Sequence, residues 1–142
     1  MANIVLIQGH PDRSERHIGH ALLEAYAEGA ASTGHEARAI TVADPQFPFL
    51  RSQTEFDHGK VPESLRSAQV DLRWSNHVVL FFPLWLGEAP AMLKAILEQI
   101  LRPGFALKSD GKNPMGAKGL KGRSARIVCT MGMPAFIYRW YF

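Results

Sequence analysis

Four short apolar runs punctuate the chain, and between them apolar positions recur with helical spacing. Residues 3–8 (NIVLIQ) are apolar and β-branched, the pattern of a central strand buried on both faces of a parallel sheet. In the following stretch Ile18, Ala21, Leu22, Ala25 and Gly29 fall on one helical face, and Gly34 supplies a stop. Residues 36–42 (EARAITV) predict a weaker strand that ends at Asp44-Pro45. Phe47, Phe49, Leu50 and Phe56 then lie in a stretch with no regular period, which in a compact domain points to function. Pro62 opens a second helix with Leu65, Ala68 and Leu72 on its apolar face. The strongest strand is 77–82 (HVVLFF); it runs into PLWLGEAP and then a helix through Met92, Leu93, Ile96, Leu97 and Ile100. A fourth strand, 124–130 (SARIVCT), ends in MGMPAFIYRWYF.

Strand and helix alternate from end to end. The pattern predicts an α/β fold, a parallel sheet in the order second, first, third, fourth, with helices on both faces. Ligands of such sheets bind beyond the carboxyl ends of the strands, where the strand order reverses. That rule selects three loops: 9–17, 83–89 and 131–138.

Composition narrows the class. At 142 residues, 46% hydrophobic and 20% charged, the chain reads as one globular domain with a sizeable core. No apolar run is long enough to span a bilayer, and the N-terminus has no leader pattern. The single cysteine, Cys129, forms no internal disulfide and suits a reducing compartment, so a cytoplasmic location is expected. The net charge of +3 is concentrated between residues 102 and 126, where glycines and prolines interrupt the basic residues. A solvated loop accounts for that run better than nucleic-acid binding does.

Several chemistries fail against the three loops. The first turn reads GHPDRSER, without the G-x-G-x-x-G of a dinucleotide fold or the Gly-Lys-Ser/Thr of a phosphate loop. The third strand ends in Pro83 rather than an aspartate, no serine sits in a G-x-S-x-G elbow, and Cys129 lies within a strand. His17 and His20 are one helical turn apart with His10 nearby, yet no further Cys, Asp or Glu completes a metal set, and no metal is expected. A planar, anionic, aromatic ligand remains. PLWLGEAP sets an indole on a rigid loop whose amides can face ring heteroatoms, while the helix start at 16–18 can hold phosphate. That is a flavin site in outline; plain packing of Leu84, Trp85 and Leu86 under the helix is the other account.

GHP near the start, FFPLWLGEAPAMLKAILEQILRPGFAL in the middle and MGMPAFIYRWY at the end resemble the flavodoxin-like NAD(P)H:quinone oxidoreductase family. That family includes quinone reductases of the DT-diaphorase type and ancillary subunits of potassium-efflux systems. The resemblance implies a flavin, FAD or FMN, with NAD(P)H as co-substrate, a quinone-like acceptor, and a homodimer that shares its substrate pocket. It implies that His10, Ser14, Arg16, His17 and Ile18 hold the phosphates, and that Pro83, Leu84, Trp85, Leu86 and Gly87 line the isoalloxazine. Thr130, Met131, Gly132 and Met133 would contact its pyrimidine edge, and Tyr138 would stand beside the reacting face as a donor to the acceptor oxygen. Arg16 and Gly19 stand where the family often has serine and asparagine, and TMGM replaces a common T-T-G-G. The family also adds a catalytic histidine, a fifth strand and a final helix beyond the position of Phe142. The expectation is therefore a single domain over 1–142 that is incomplete at its C-terminus, with its fourth strand left as an edge. The alternative function is that of a non-catalytic, flavin-binding regulator that docks on a membrane transporter; an acidic-rimmed electron-transfer flavodoxin fits the +3 charge poorly.

Overall fold

The computed structural model describes residues 1–108 and 117–141. Four parallel strands form the sheet: β1 (Asn3–Gln8), β2 (Glu36–Thr41), β3 (His77–Pro83) and β6 (Ser124–Thr130), side by side as β2-β1-β3-β6. The predicted order and direction are both found. Ile7 pairs with Ile40 on one side and Leu80 on the other, and Phe82 pairs with Cys129. The apolar character of β1 is explained by this central place, with five of its six residues buried.

The helices are α1 (Ile18–Ser32), α2 (Gln53–His58), α3 (Arg66–Trp74), α4 (Ala91–Ile100) and α5 (Ala135–Tyr141). A 3-10 turn, Glu63–Leu65, leads into α3. On one face of the sheet, Leu65, Leu72, Leu93, Ile96 and Ile100 pack on Val5, Ile7 and Ile40. On the other, Ala30 of α1 packs with Ile4, Leu6, Val79 and Phe81, flanked by Leu23, Tyr26 and Ala27.

That second contact corrects the expected face of α1. The predicted stripe of Ile18, Ala21, Leu22, Ala25 and Gly29 is exposed, and Gly19, Leu23, Tyr26, Ala27 and Ala30 turn inward instead. In an alanine-rich helix two overlapping stripes are apolar, so the periodicity does not choose between them. The stop is as expected. Gly34 has φ +77° and its amide donates to Ala31 O at 3.0 Å, while His35 N donates to Ala30 O at 2.9 Å. Those are the paired bonds of a Schellman cap.

Two further differences concern the loops. The aperiodic stretch contains α2, capped by the Ser52 hydroxyl, which accepts from Glu55 N at 3.1 Å. The basic connection carries β4 (Leu107–Lys108), which runs antiparallel to β5 (Ala117–Lys118); its residues 109–116 lie outside those described. Two of its arginines are structural rather than solvated. Arg123 donates to the carbonyls of Ser75 at 2.9 Å and Arg73 at 2.8 Å, and Arg102 is buried. Among the described residues nothing pairs with the outer edge of β6, and Ile127 on that strand is 65% exposed.

Candidate functional site

The sheet order reverses between β1 and β3, so the loops that follow these strands meet at one edge. Gly9 makes the meeting possible. A Cβ there would stand 2.7 Å from Leu93 Cδ2 and 2.9 Å from Phe81 O, so only glycine lets β1 turn this close to β3 and α4. The Gly9 amide donates to Phe81 O, and His10 N donates to Gln8 Oε1 at 3.1 Å.

The loop then folds over three histidines. The rings of His10 and His17 stack with centroids 3.7 Å apart and planes 18° from parallel, and His20 lies 5.9 Å from each. His10 is buried, and that burial, with His17 and His20 beside it, holds its pKa below the usual histidine range. His17 is the N-cap of α1, and its amide donates to His20 Nδ1 at 3.2 Å. Asp12 accepts at Oδ1 from the Ser14 amide and hydroxyl, both at 2.7 Å, and its Oδ2 lies 3.1 Å from His17 Nε2. Those bonds, the Ser14 hydroxyl first, pull the Asp12 carboxyl down to about 2.

The second loop is a tight turn. Trp85 N donates to Glu88 O at 2.9 Å and Glu88 N to Trp85 O at 3.0 Å, with Leu86 at φ +52° and Gly87 at φ +82° between them. Two left-handed central residues make it a type I′ turn, for which leucine is an unfavourable choice. Leu86 is fully exposed and packs on nothing described, so its replacement costs no burial. Leu86→Gly is expected to raise stability by about 0.5–1 kcal/mol. A urea melt checks it; a lower midpoint in the variant would mean that the side chain has a partner in solution.

The third loop completes the edge. Leu84 N donates to Thr130 O at 2.8 Å, Pro83 pairs with Thr130, and the Tyr138 hydroxyl donates to Gly87 O at 2.9 Å. Trp85, 47% exposed, meets the edge of His10 at 5.6 Å in a T-shaped contact, which joins the first loop to the second. Met131, Gly132 and Met133 line the exposed rim beyond.

The expected site residues therefore gather, with five changes of role. Arg16 is ion-paired with Glu24 along the helix, and Ile18 turns its side chain to solvent. The Ser14 hydroxyl is spent on Asp12. The amides of Leu84 and Trp85 are taken by carbonyls within the protein, which leaves those of Leu86 and Gly87 at the apex outside the turn's ladder. The Tyr138 hydroxyl proton lies on Gly87 O, where it tethers α5 to the turn. The sequence alone gives Asp12 no role and offers His20 only as a rejected metal ligand. The S/D-x-S spacing of Asp12 to Ser14 and the i, i+3 spacing of His17 to His20 were the available signals.

A family model described as flavodoxin-like fold matches residues 2–142. An uncharacterized NAD(P)H oxidoreductase of Haemophilus influenzae is 26% identical over 92% of this chain and 64% of its own length. The glutathione-regulated potassium-efflux system ancillary protein KefG of Salmonella paratyphi B is 26% identical over 98% of this chain and 63% of its own. The chain thus spans less than two thirds of the length of these two curated relatives. Among solved structures, an NAD(P)H:quinone oxidoreductase from Methanothermobacter marburgensis superposes with a TM-score of 0.76 at 20% identity, over 98% of this chain and 71% of that one. No helix among the described residues is long and apolar enough to cross a membrane.

Proposed function

Because the chain belongs to the family of flavodoxin-like fold, we propose that it is a flavin-dependent oxidoreductase that uses NAD(P)H to reduce a quinone or a similar acceptor. The observation that carries the reading is the meeting of three loops at the switch point, with a half-exposed indole between a helix N-terminus and a strained tight turn. A flavin fits what is there: its phosphate needs the donors at the start of α1, and its ring needs an aromatic neighbour and outward amides. When bound, the flavin supplies two-electron chemistry between a nicotinamide and the acceptor.

The residues have separable tasks in this reading. His17 and the first amides of α1 bind phosphate, assisted by the partial positive charge of the helix start. Trp85 orients the ring, and the apex amides of Leu86 and Gly87 offer donors where negative charge collects. Tyr138 holds the turn through Gly87 O, and its phenol faces the acceptor side as a proton donor once that carbonyl is released. Met131 and Met133 provide adaptable apolar cover for flat acceptors. The working protein is a cytoplasmic homodimer in which further chain or the second copy covers the exposed face of β6.

The test is reconstitution with FMN or FAD, followed by NADH and NADPH oxidation with a soluble quinone. Flavin binding with quinone-dependent turnover is the expected result; turnover no faster than that of free flavin would sink the enzymatic reading. The second reading, a flavin-binding regulator of a membrane transporter, is favoured by the similarity to KefG over 98% of the chain. It predicts bound flavin without turnover.

A further inference from the structure

Asp12 is an anion already seated among the donors that a phosphate would need. Its Oδ1 takes the Ser14 amide and hydroxyl at 2.7 Å, and its Oδ2 faces Nε2 of the N-cap His17 at 3.1 Å. A separate observation points to a missing acceptor beneath the adjoining first turn of α1. Gln8 is 2% exposed, yet its Nε2 has no hydrogen-bond partner among the described residues. It stands 3.7 Å from the position a Cβ on Gly19 would take, under the first turn of α1. A buried donor left without an acceptor is costly, so this turn is arranged for an oxygen that the described residues do not supply.

We propose that Asp12 is an internal stand-in for the flavin phosphate, holding the loop's donors in the ligand-free protein and leaving them when a phosphomonoester arrives. The inference rests on the flavin reading above. The surrounding charges make departure necessary. Arg13 is paired with Asp44 at 2.9 Å and Arg16 with Glu24, so both cations are already balanced. Glu15 adds a further carboxylate to the cleft of about 390 Å³ that these side chains line with Ser14 and His20. The turn after β3 brings Trp85 against His10, and Trp85 carries no charge. A phosphate that entered this cluster would meet the negative charge of Asp12 at the donors it needs. Protonation is not the way out, because the Ser14 and His17 bonds hold the Asp12 carboxyl near 2 and it stays ionised throughout the working range. The side chain has to swing away.

Asp12→Asn separates charge from shape, since its amide oxygen still accepts from Ser14 and preserves the turn. FMN and riboflavin differ only by the phosphate, so both are titrated by flavin fluorescence against the parent and the variant. The variant is expected to bind FMN about tenfold more tightly, the scale of one charge–charge contact near the surface, with riboflavin unchanged. Inorganic phosphate should likewise compete with FMN more effectively in the variant. Asp12→Ser, which also keeps an oxygen acceptor without the charge, must show the same gain, and that guards against a folding defect in one variant. Unchanged or weaker FMN binding in both variants overturns the proposal and leaves Asp12 as a loop-ordering residue. Parent and variants that bind none of FMN, FAD and riboflavin would overturn the flavin reading itself.

Discussion

Trp85→Ala is expected to weaken flavin binding ten- to a hundredfold while leaving the fold in place. The indole is 47% exposed, and its one described ring contact is an edge approach to His10 at 5.6 Å, so the core loses little when it is removed. A planar ring ligand at this edge loses its stacking surface, and aromatic–base stacking is worth about 1–3 kcal/mol, which corresponds to that range. Fluorescence titration of flavin, with a circular dichroism melt as the control for folding, gives the answer. Full occupancy at stoichiometric flavin in the variant would remove Trp85 from the site.

Arg102→Leu should be the more damaging change to stability, although no ligand is proposed near it. The guanidinium is 4% exposed; it donates from Nε to Gln99 Oε1 at 3.1 Å, again to that oxygen from Nη2, and from Nη1 to Glu55 O at 2.5 Å. Gln99 in turn donates to Pro48 O at 2.6 Å. One buried cation thus fastens the long irregular segment and α2 to the end of α4. Leucine fills much of the space but leaves the buried Gln99 oxygen unpaired and the Glu55 carbonyl with the Gly59 amide alone, at a cost of about 2–4 kcal/mol and a fall in Tm of roughly 5–15 °C. Calorimetry checks it, and a Tm equal to the parent's would show that this segment does not contribute to the cooperative unit.

Much of this molecule could be read before its coordinates. β1 and β3 declared themselves because a strand buried on both faces has no polar alternation to confuse. The strand order followed from connectivity and the apolar centre. The inward face of α1 could not be read, since Ala21, Ala25, Ala27 and Ala30 make both stripes apolar and only contact with Phe81 and Val79 decides. α2 was legible in principle: Ser52 and Glu55 form the S-x-x-E signature of a helix start, masked by the aromatics around it. At the site, residue types marked the three loops, but partners assigned the roles. Arg16 is the clearest example, because nothing in its neighbourhood announced that Glu24, two helical turns on, would claim it. Asp12 was hidden for a related reason: a carboxylate in a turn usually caps or orders it, and only its distances to Ser14 and His17 show how much of the loop it holds.

The place of β1 between β2 and β3 also governs the order of assembly. Its register on the β2 side pairs Ile7 with Ile40, the same 33 positions apart as the Ala2–His35 contact, whereas on the β3 side Ile7 pairs with Leu80, the same 73 apart as the Asn3–Asn76 bond. Closing the longer loop costs more chain entropy, so the β1–α1–β2 unit is the natural early nucleus and β3 docks afterwards. The candidate site straddles the later of these seams, with His10 on one side and Trp85 on the other. It therefore comes into being only with the last major closure of the sheet. A flavin that bridges the seam would act on the unfolding rate and leave the folding rate almost untouched.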